Sequence, residues 1–192
     1  MIARSSKADG ILWLMRFQQQ HSTRVVLVRL AAGFLALAAI PVFAQTDVKA
    51  TVLKHLKTSR EFTLKVADQM PEASYSFKLT PPQMSFAEQM VHLSQTLEFL
   101  LAPLAGENPD PGKPASMNKN DVVAYVRKSF DRAIDRVSKV TPEQLSKTYQ
   151  GGEGTMTGLE ILMFTMDHTT HHRASAEMYL RAKGITPTDY QF

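Results

Sequence analysis

Apolar residues recur every three or four positions in four stretches of the chain, and segments rich in Pro or Gly separate those stretches. That period marks helices that bury one face. The first helix is expected over residues 47–70, where Val52, Leu53, Leu56, Leu64 and Ala67 approximate a broad stripe, with Phe62 and Val66 to one side of it. Pro71 stops it. Tyr75, Phe77 and Leu79 alternate as a strand would, but Pro81 and Pro82 cut the run short. A lone strand has nothing to pair with, so this segment reads as an extended crossover. The second helix has a sharp start, because Ser85 and Glu88 fit a capping box: the hydroxyl takes an orphan amide and the carboxylate reaches back. Phe86, Met90, Leu93, Leu97, Leu100 and Leu101 then line one face, and Pro103 with residues 106–114 ends the helix.

The third helix is expected over residues 119–140, with Val122, Val123, Val126, Phe130, Ile134 and Val137 inward and Asp131, Arg132, Asp135 and Arg136 toward water. Residues 151–154, Gly-Gly-Glu-Gly, read as a flexible connection. The fourth helix is expected over residues 157–183, with Gly184 as its cap and Pro187 preventing continuation. Its first half, residues 159–166, is apolar nearly all round apart from Glu160, which predicts a central place in the bundle. Four long helices and no convincing sheet predict an all-α four-helix bundle. The connections are long enough for crossovers, so a simple up-down-up-down order is not forced.

Composition narrows the chemistry. With 192 residues, 44% hydrophobic and 21% charged, the chain has the balance of a folded domain, which excludes general disorder. It has no cysteine, so any metal must be held by nitrogen and oxygen ligands. The formal charge is +4, but Arg4, Lys7, Arg16, Arg24 and Arg29 against Asp9 already give residues 1–44 a net +4. The remainder is balanced, and no nucleic-acid-binding stripe is expected. Arg24 and Arg29 flank an apolar run, residues 30–40, and Pro41, Val42, Phe43 and Ala44 follow with small or medium side chains where a signal peptidase inspects. A helix needs about 20 apolar residues to cross a bilayer, and this run is shorter. Residues 1–44 are therefore read as a cleaved signal peptide, with Met15 as an alternative start, and residues 45–192 as the exported, periplasmic domain without a stable membrane span.

The candidate chemistry lies in the histidines. The expected mature chain has His55, His92, His168, His171 and His172. At about 100° per residue, His168 and His172 differ by about 40° and one turn, so both point the same way, as two ligands of one ion must. Ile161, Phe164, Thr165, Ser175, Ala176 and Tyr179 share that side, while Arg173 and Glu177 fall opposite. By spacing alone the pair is also compatible with structural or surface histidines. A third ligand must come from another helix, and His92 is the candidate, about 130° from the centre of the Leu/Met stripe of its helix. His171 reads as a partly exposed neighbour, and His55, among lysines, as solvated. Glu88 is an alternative ligand or base, although capping is the simpler reading, and Tyr179 could orient a ligand or sit in the core.

The run from Pro71 to His92, PEASYSFKLTPPQMSFAEQMVH, and the run from His168 to Pro187, HTTHHRASAEMYLRAKGITP, resemble the DinB/YfiT-like family of metal-binding bundles. The resemblance implies a DinB-like four-helix bundle in which His92, His168 and His172 bind one divalent ion. Ala174-Ser175 departs from the Gly-Gln that many members carry there. Some relatives are thiol-dependent transferases or isomerases, so the resemblance implies a metal-dependent enzyme of that type or a hydrolase, acting on a small-molecule substrate or thiol. Zn, Ni, Fe, Mn and Co all accept imidazole. The alternatives are an exported protein that binds metal or a small ligand without catalysis, and a structural bundle with incidental histidines. The apolar surplus of the fourth helix leaves room for a homodimer contact.

Overall fold

A computed structural model of the chain describes residues 48–151 and 154–190. The expected leader, residues 1–44, lies outside the described residues. Helix α1 runs through residues 48–69, followed by a single 3-10 turn, Glu72–Ser74. Then come α2 (Phe86–Leu104), α3 (Lys119–Lys139), a short α4 (Pro142–Ser146), strands β1 (Thr148–Gly151) and β2 (Gly154–Thr157), and α5 (Gly158–Ala182). No helix among the described residues is long and apolar enough to cross a membrane.

The helix starts follow from local chemistry. Ser85 and Glu88 form the expected capping box on α2, and Thr157 and Glu160 form another on α5. The alternating segment before α2 makes no strand. Its carbonyls instead receive orphan amides at the start of α2, Phe86 N–H to Phe77 O at 3.0 Å and Ala87 N–H to Tyr75 O at 2.9 Å. Tyr75 is buried, donates to Ala67 O at 2.9 Å, and so ties the end of α1 to that start.

Contacts between the helices give their directions. The ammonium of Lys49 reaches Val140 O, Arg60 pairs with Asp131, and Lys119 donates to Asp68 O and Met70 O, so α1 and α3 are antiparallel. Glu98 of α2 meets Arg132 and Arg136 of α3, and Ala105 and Lys139 line one cavity just beyond, so α2 and α3 run parallel. Gln89 meets His172 while Leu104 approaches Gly158, so α5 is antiparallel to α2. The order is thus up-down-down-up. Segment 105–118 must run back along α2, which is 19 residues or about 28 Å long. Its backbone is held on the way, Asp110 N–H to Glu98 Oε1 and Gly112 O from Gln95 Nε2, and Pro111 O takes the Tyr125 hydroxyl at 2.7 Å.

Three expectations need correction. Strands Thr148–Gly151 and Gly154–Thr157 pair antiparallel, Thr148 opposite Thr157 and Gly151 opposite Gly154, in place of the expected flexible connection. The β-branched and aromatic residues flanking the Gly pair are a hairpin signal. The start of α5 is not central: Leu159 and Met163 are 38% and 57% exposed, because only the Ile161/Leu162/Thr165 side meets the bundle. Arg136, expected toward water, is largely covered, and Arg173, on the side opposite the histidine pair, is buried. Arg136 reaches Glu98, which is 3% exposed, with paired hydrogen bonds of 2.7 and 2.8 Å. Arg173, 2% exposed, stacks 4.5 Å from the Phe62 ring centre and donates to Ser59 Oγ at 2.8 Å, joining α5 to α1.

Both close contacts on α5 make testable demands. A Cβ on Gly158 would stand 2.2 Å from Gln144 O and 2.9 Å from a Leu104 methyl. Gly158→Ala should therefore lower unfolding free energy by about 1–3 kcal/mol, the cost of overpacking. Arg173→Ala leaves a void against Phe62 and is expected to cost about 3 kcal/mol. Urea denaturation measures both, and a loss under about 0.5 kcal/mol, the scale of ordinary surface changes, would refute either account.

Candidate metal centre

His92 lies on α2, and His168 and His172 lie on α5. The i, i+4 spacing puts the α5 pair on one side, and their ring centres are 4.4 Å apart. Because α2 and α5 pack antiparallel, His92 arrives between them: its ring centre is 4.5 Å from that of His172 and 5.2 Å from that of His168. One ring nitrogen from each comes within 4.8 Å of the others. Two nitrogens bound about 2 Å from one ion stand about 3.3 Å apart, so small side-chain rotations suffice to share an ion.

The fold is matched elsewhere. The DinB family profile aligns with residues 43–192. The chain belongs to the DinB family. The uncharacterized protein YjoA of Bacillus subtilis (strain 168) is 22% identical over 140 residues, covering 70% of this chain and 90% of YjoA. The crystal structure of YjoA, a DinB-like protein, superposes with a TM-score of 0.64 at 20% identity, covering 73% of this chain and 96% of that one. A DinB-like protein from Bacillus cereus ATCC 10987 gives 0.63 at 19% identity, with 73% and 95% covered. YfiT from Bacillus subtilis, described as a probable metal-dependent hydrolase with an unusual four-helix bundle topology, gives 0.58 at 13% identity, with 72% and 89% covered.

In this DinB chain the donor set fits a cation. Burial, and then the neighbouring His92 and His171 rings, push His168 down to about 4. Burial, and then the His168, His92 and His171 rings, push His172 to about 4 as well, and burial lowers His92. All three imidazoles are therefore neutral near pH 7, with a lone pair each to give. No carboxylate joins the group among the described residues. His168 and His172 border an open cleft of about 630 Å³, lined also by Phe164, Asp167, Thr170 and His171. The Phe164 ring stands edge-on 6.1 Å from that of His168.

The other candidates fall into place around this. His171 is exposed, its ring 4.9 Å from that of His172. Glu88 is engaged by its cap on Ser85 and by Lys78 at 3.5 Å, and it is not among the clustered groups. Tyr179 is buried, edge-on to Phe77 and Phe86, and donates to Met84 O. It is a core tyrosine. His55 is half-buried, not solvated, and is held below its usual pKa by burial and then by Arg173. Sequence reasoning missed Gln89, whose carboxamide oxygen lies 2.7 Å from His172 Nδ1. The signal was available: Gln89 precedes His92 by three residues, on the same side of α2.

The lowered values set a pH dependence. An imidazole depressed in the folded chain is protonated more readily in the unfolded one, where its pKa is about 6.5. Metal-free protein should thus lose stability as pH falls from about 6.5 toward 4. His172→Asn should lose less between about pH 7 and 5 than the parent does, measured by urea unfolding. Equal losses in both would show that His172 is not depressed.

Proposed function

We propose that this DinB chain holds one divalent metal ion through His92, His168 and His172 and uses it as a metal-dependent enzyme on a small-molecule substrate. The observation that carries this reading is the meeting of three neutral imidazoles beside an open cleft. Three protein ligands leave coordination positions free, the arrangement of catalytic and not of closed structural sites. The ion, when bound, supplies a Lewis acid that polarises a carbonyl or activates a water or thiol. Hydrolysis is the first reaction class to test, since YfiT is described as a probable metal-dependent hydrolase, and thiol transfer or isomerisation is the second.

The chain's own residues have distinct tasks in this scheme. His92, His168 and His172 bind and orient. Phe164 forms an apolar wall at the opening. Asp167 and His171 line the same cleft and are the titratable groups placed to accept a proton from what enters it. Zn, Ni, Fe, Mn and Co all suit an all-imidazole set. The leader pattern supports action outside the cytoplasm, in the periplasm. A non-catalytic metal or ligand binder is the second reading, favoured by the lack of a carboxylate among the clustered groups.

Elemental analysis of protein purified from its own exporting cells is expected to give about one divalent ion per chain. His92→Ala should retain the fold and lose most of that metal. A parent chain that binds no ion, or full occupancy in the variant, would sink the assignment. Turnover of ester and thiol substrates by the loaded protein then separates enzyme from binder.

A further inference from the structure

We infer that Gln89 is a positioning residue for His172, selecting which of its ring nitrogens faces the shared point of the three histidines. The inference rests on the three-histidine reading above and adds a fourth residue to it. The Gln89 carboxamide oxygen stands 2.7 Å from His172 Nδ1. A carbonyl oxygen only accepts, so Nδ1 donates its proton there, and the lone pair of the neutral ring is left on Nε2. An imidazole ligand held in this way has a fixed tautomer and a fixed ring plane.

The placement of Gln89 is built into the fold. Its own amide donates to Ser85 O at 2.9 Å, within the first turn of α2, where the capping box of Ser85 and Glu88 fixes the backbone. Met90, next along, is fully buried and anchors that turn in the core. Gln89 and His92 are then one turn apart on α2, and both address His172 across the α2–α5 seam. Among the described residues no other side chain hydrogen-bonds a ring nitrogen of the three. The seam thus orients one α5 histidine from α2 and leaves His168 to be oriented by packing, with Phe164 beside it.

The choice of a carboxamide also matters. A carboxylate in this position would accept the same hydrogen bond, but would add a negative charge beside the ligand. Gln89 orients the ring while leaving the centre its full positive charge, which favours an anionic ligand such as hydroxide or thiolate in the cleft.

The test uses the full chain, stripped of metal and titrated with Zn(II) against a competing chelator. Gln89→Met keeps length and helix propensity but removes the acceptor. It should bind Zn(II) about 10- to 100-fold more weakly, with unfolding by urea unchanged. Gln89→Glu should restore affinity to the parent level or above. Nitrogen-15 NMR of the metal-free protein should show His172 protonated at Nδ1 in the parent and in Gln89→Glu, and as a mixture of tautomers in Gln89→Met. Parent-like affinity with an unchanged tautomer in Gln89→Met overturns the role of Gln89 while leaving the three-histidine site intact. A parent that binds no Zn(II) defeats the site itself, and the role with it.

Discussion

Arg173 and His172 are adjacent on α5 and face different neighbours, and the rotation of that helix depends on both contacts. The guanidinium of Arg173 is buried between Phe62 and Ser59 of α1, with the Glu177 carboxylate 3.9 Å from its Nε. Among the described residues only one donation, to Ser59, meets this buried cation; its Nε makes no hydrogen bond, and its charge is met by the Phe62 face and the Glu177 carboxylate. Turning α5 enough to free Arg173 would swing His172 away from α2, and turning it the other way would drive the guanidinium into the apolar core. The arginine thus holds the histidine pair on the side where His92 stands. Burial lowers the pKa of Arg173 and raises that of Glu177, so the loss of water outweighs their attraction for each other.

A second buried ion pair sets the topology. Glu98 lies in α2 among leucines, and burial alone would raise its pKa. The hydrogen bonds from Arg136, the Asp110 amide and the charge of Arg132 more than offset this and hold it below the usual carboxylate range. The same carboxylate that joins α2 to α3 also receives the backbone of the crossover segment. Parallel α2 and α3 need that long return path, and the return path needs an anchor. The result places α5 antiparallel against α2, so the residues that build the site come from helices about eighty positions apart in sequence.

The chemistry follows from this seam being only partly closed. Its inner side is core, with Met90, Leu93, Thr165 and Ala176 buried. Its outer side opens on the cleft lined by Phe164, Thr170 and His171. Half-buried imidazoles are neutral at pH 7 yet reachable, which suits ligands that must give a lone pair inward and leave room outward. Among the described residues no carboxylate sits with them, so a cation bound there would keep its charge for whatever enters.

Much of this was legible in the chain. Helical period, the capping box at Ser85, the end at Gly184 and the pairing of His168 with His172 are local properties, set by spacing along one helix and by side chains that meet their own backbone. What local spacing could not decide was anything that depends on which faces meet. Arg136 looks like a solvated charge until Glu98 of α2 is placed against it, and nothing along α5 marks Arg173 as buried until Phe62 and Ser59 of α1 meet it. Leu159 and Met163 look like core until the bundle leaves their side uncovered. The pairing of β1 with β2 is encoded in their threonines and Tyr149, while the glycines beside them read as a turn. Gln89 gains meaning only when α5 arrives opposite α2. Periodicity encodes a helix and its faces, whereas contacts between helices arise from closing the bundle, where long-range charge pairing and packing choose the arrangement.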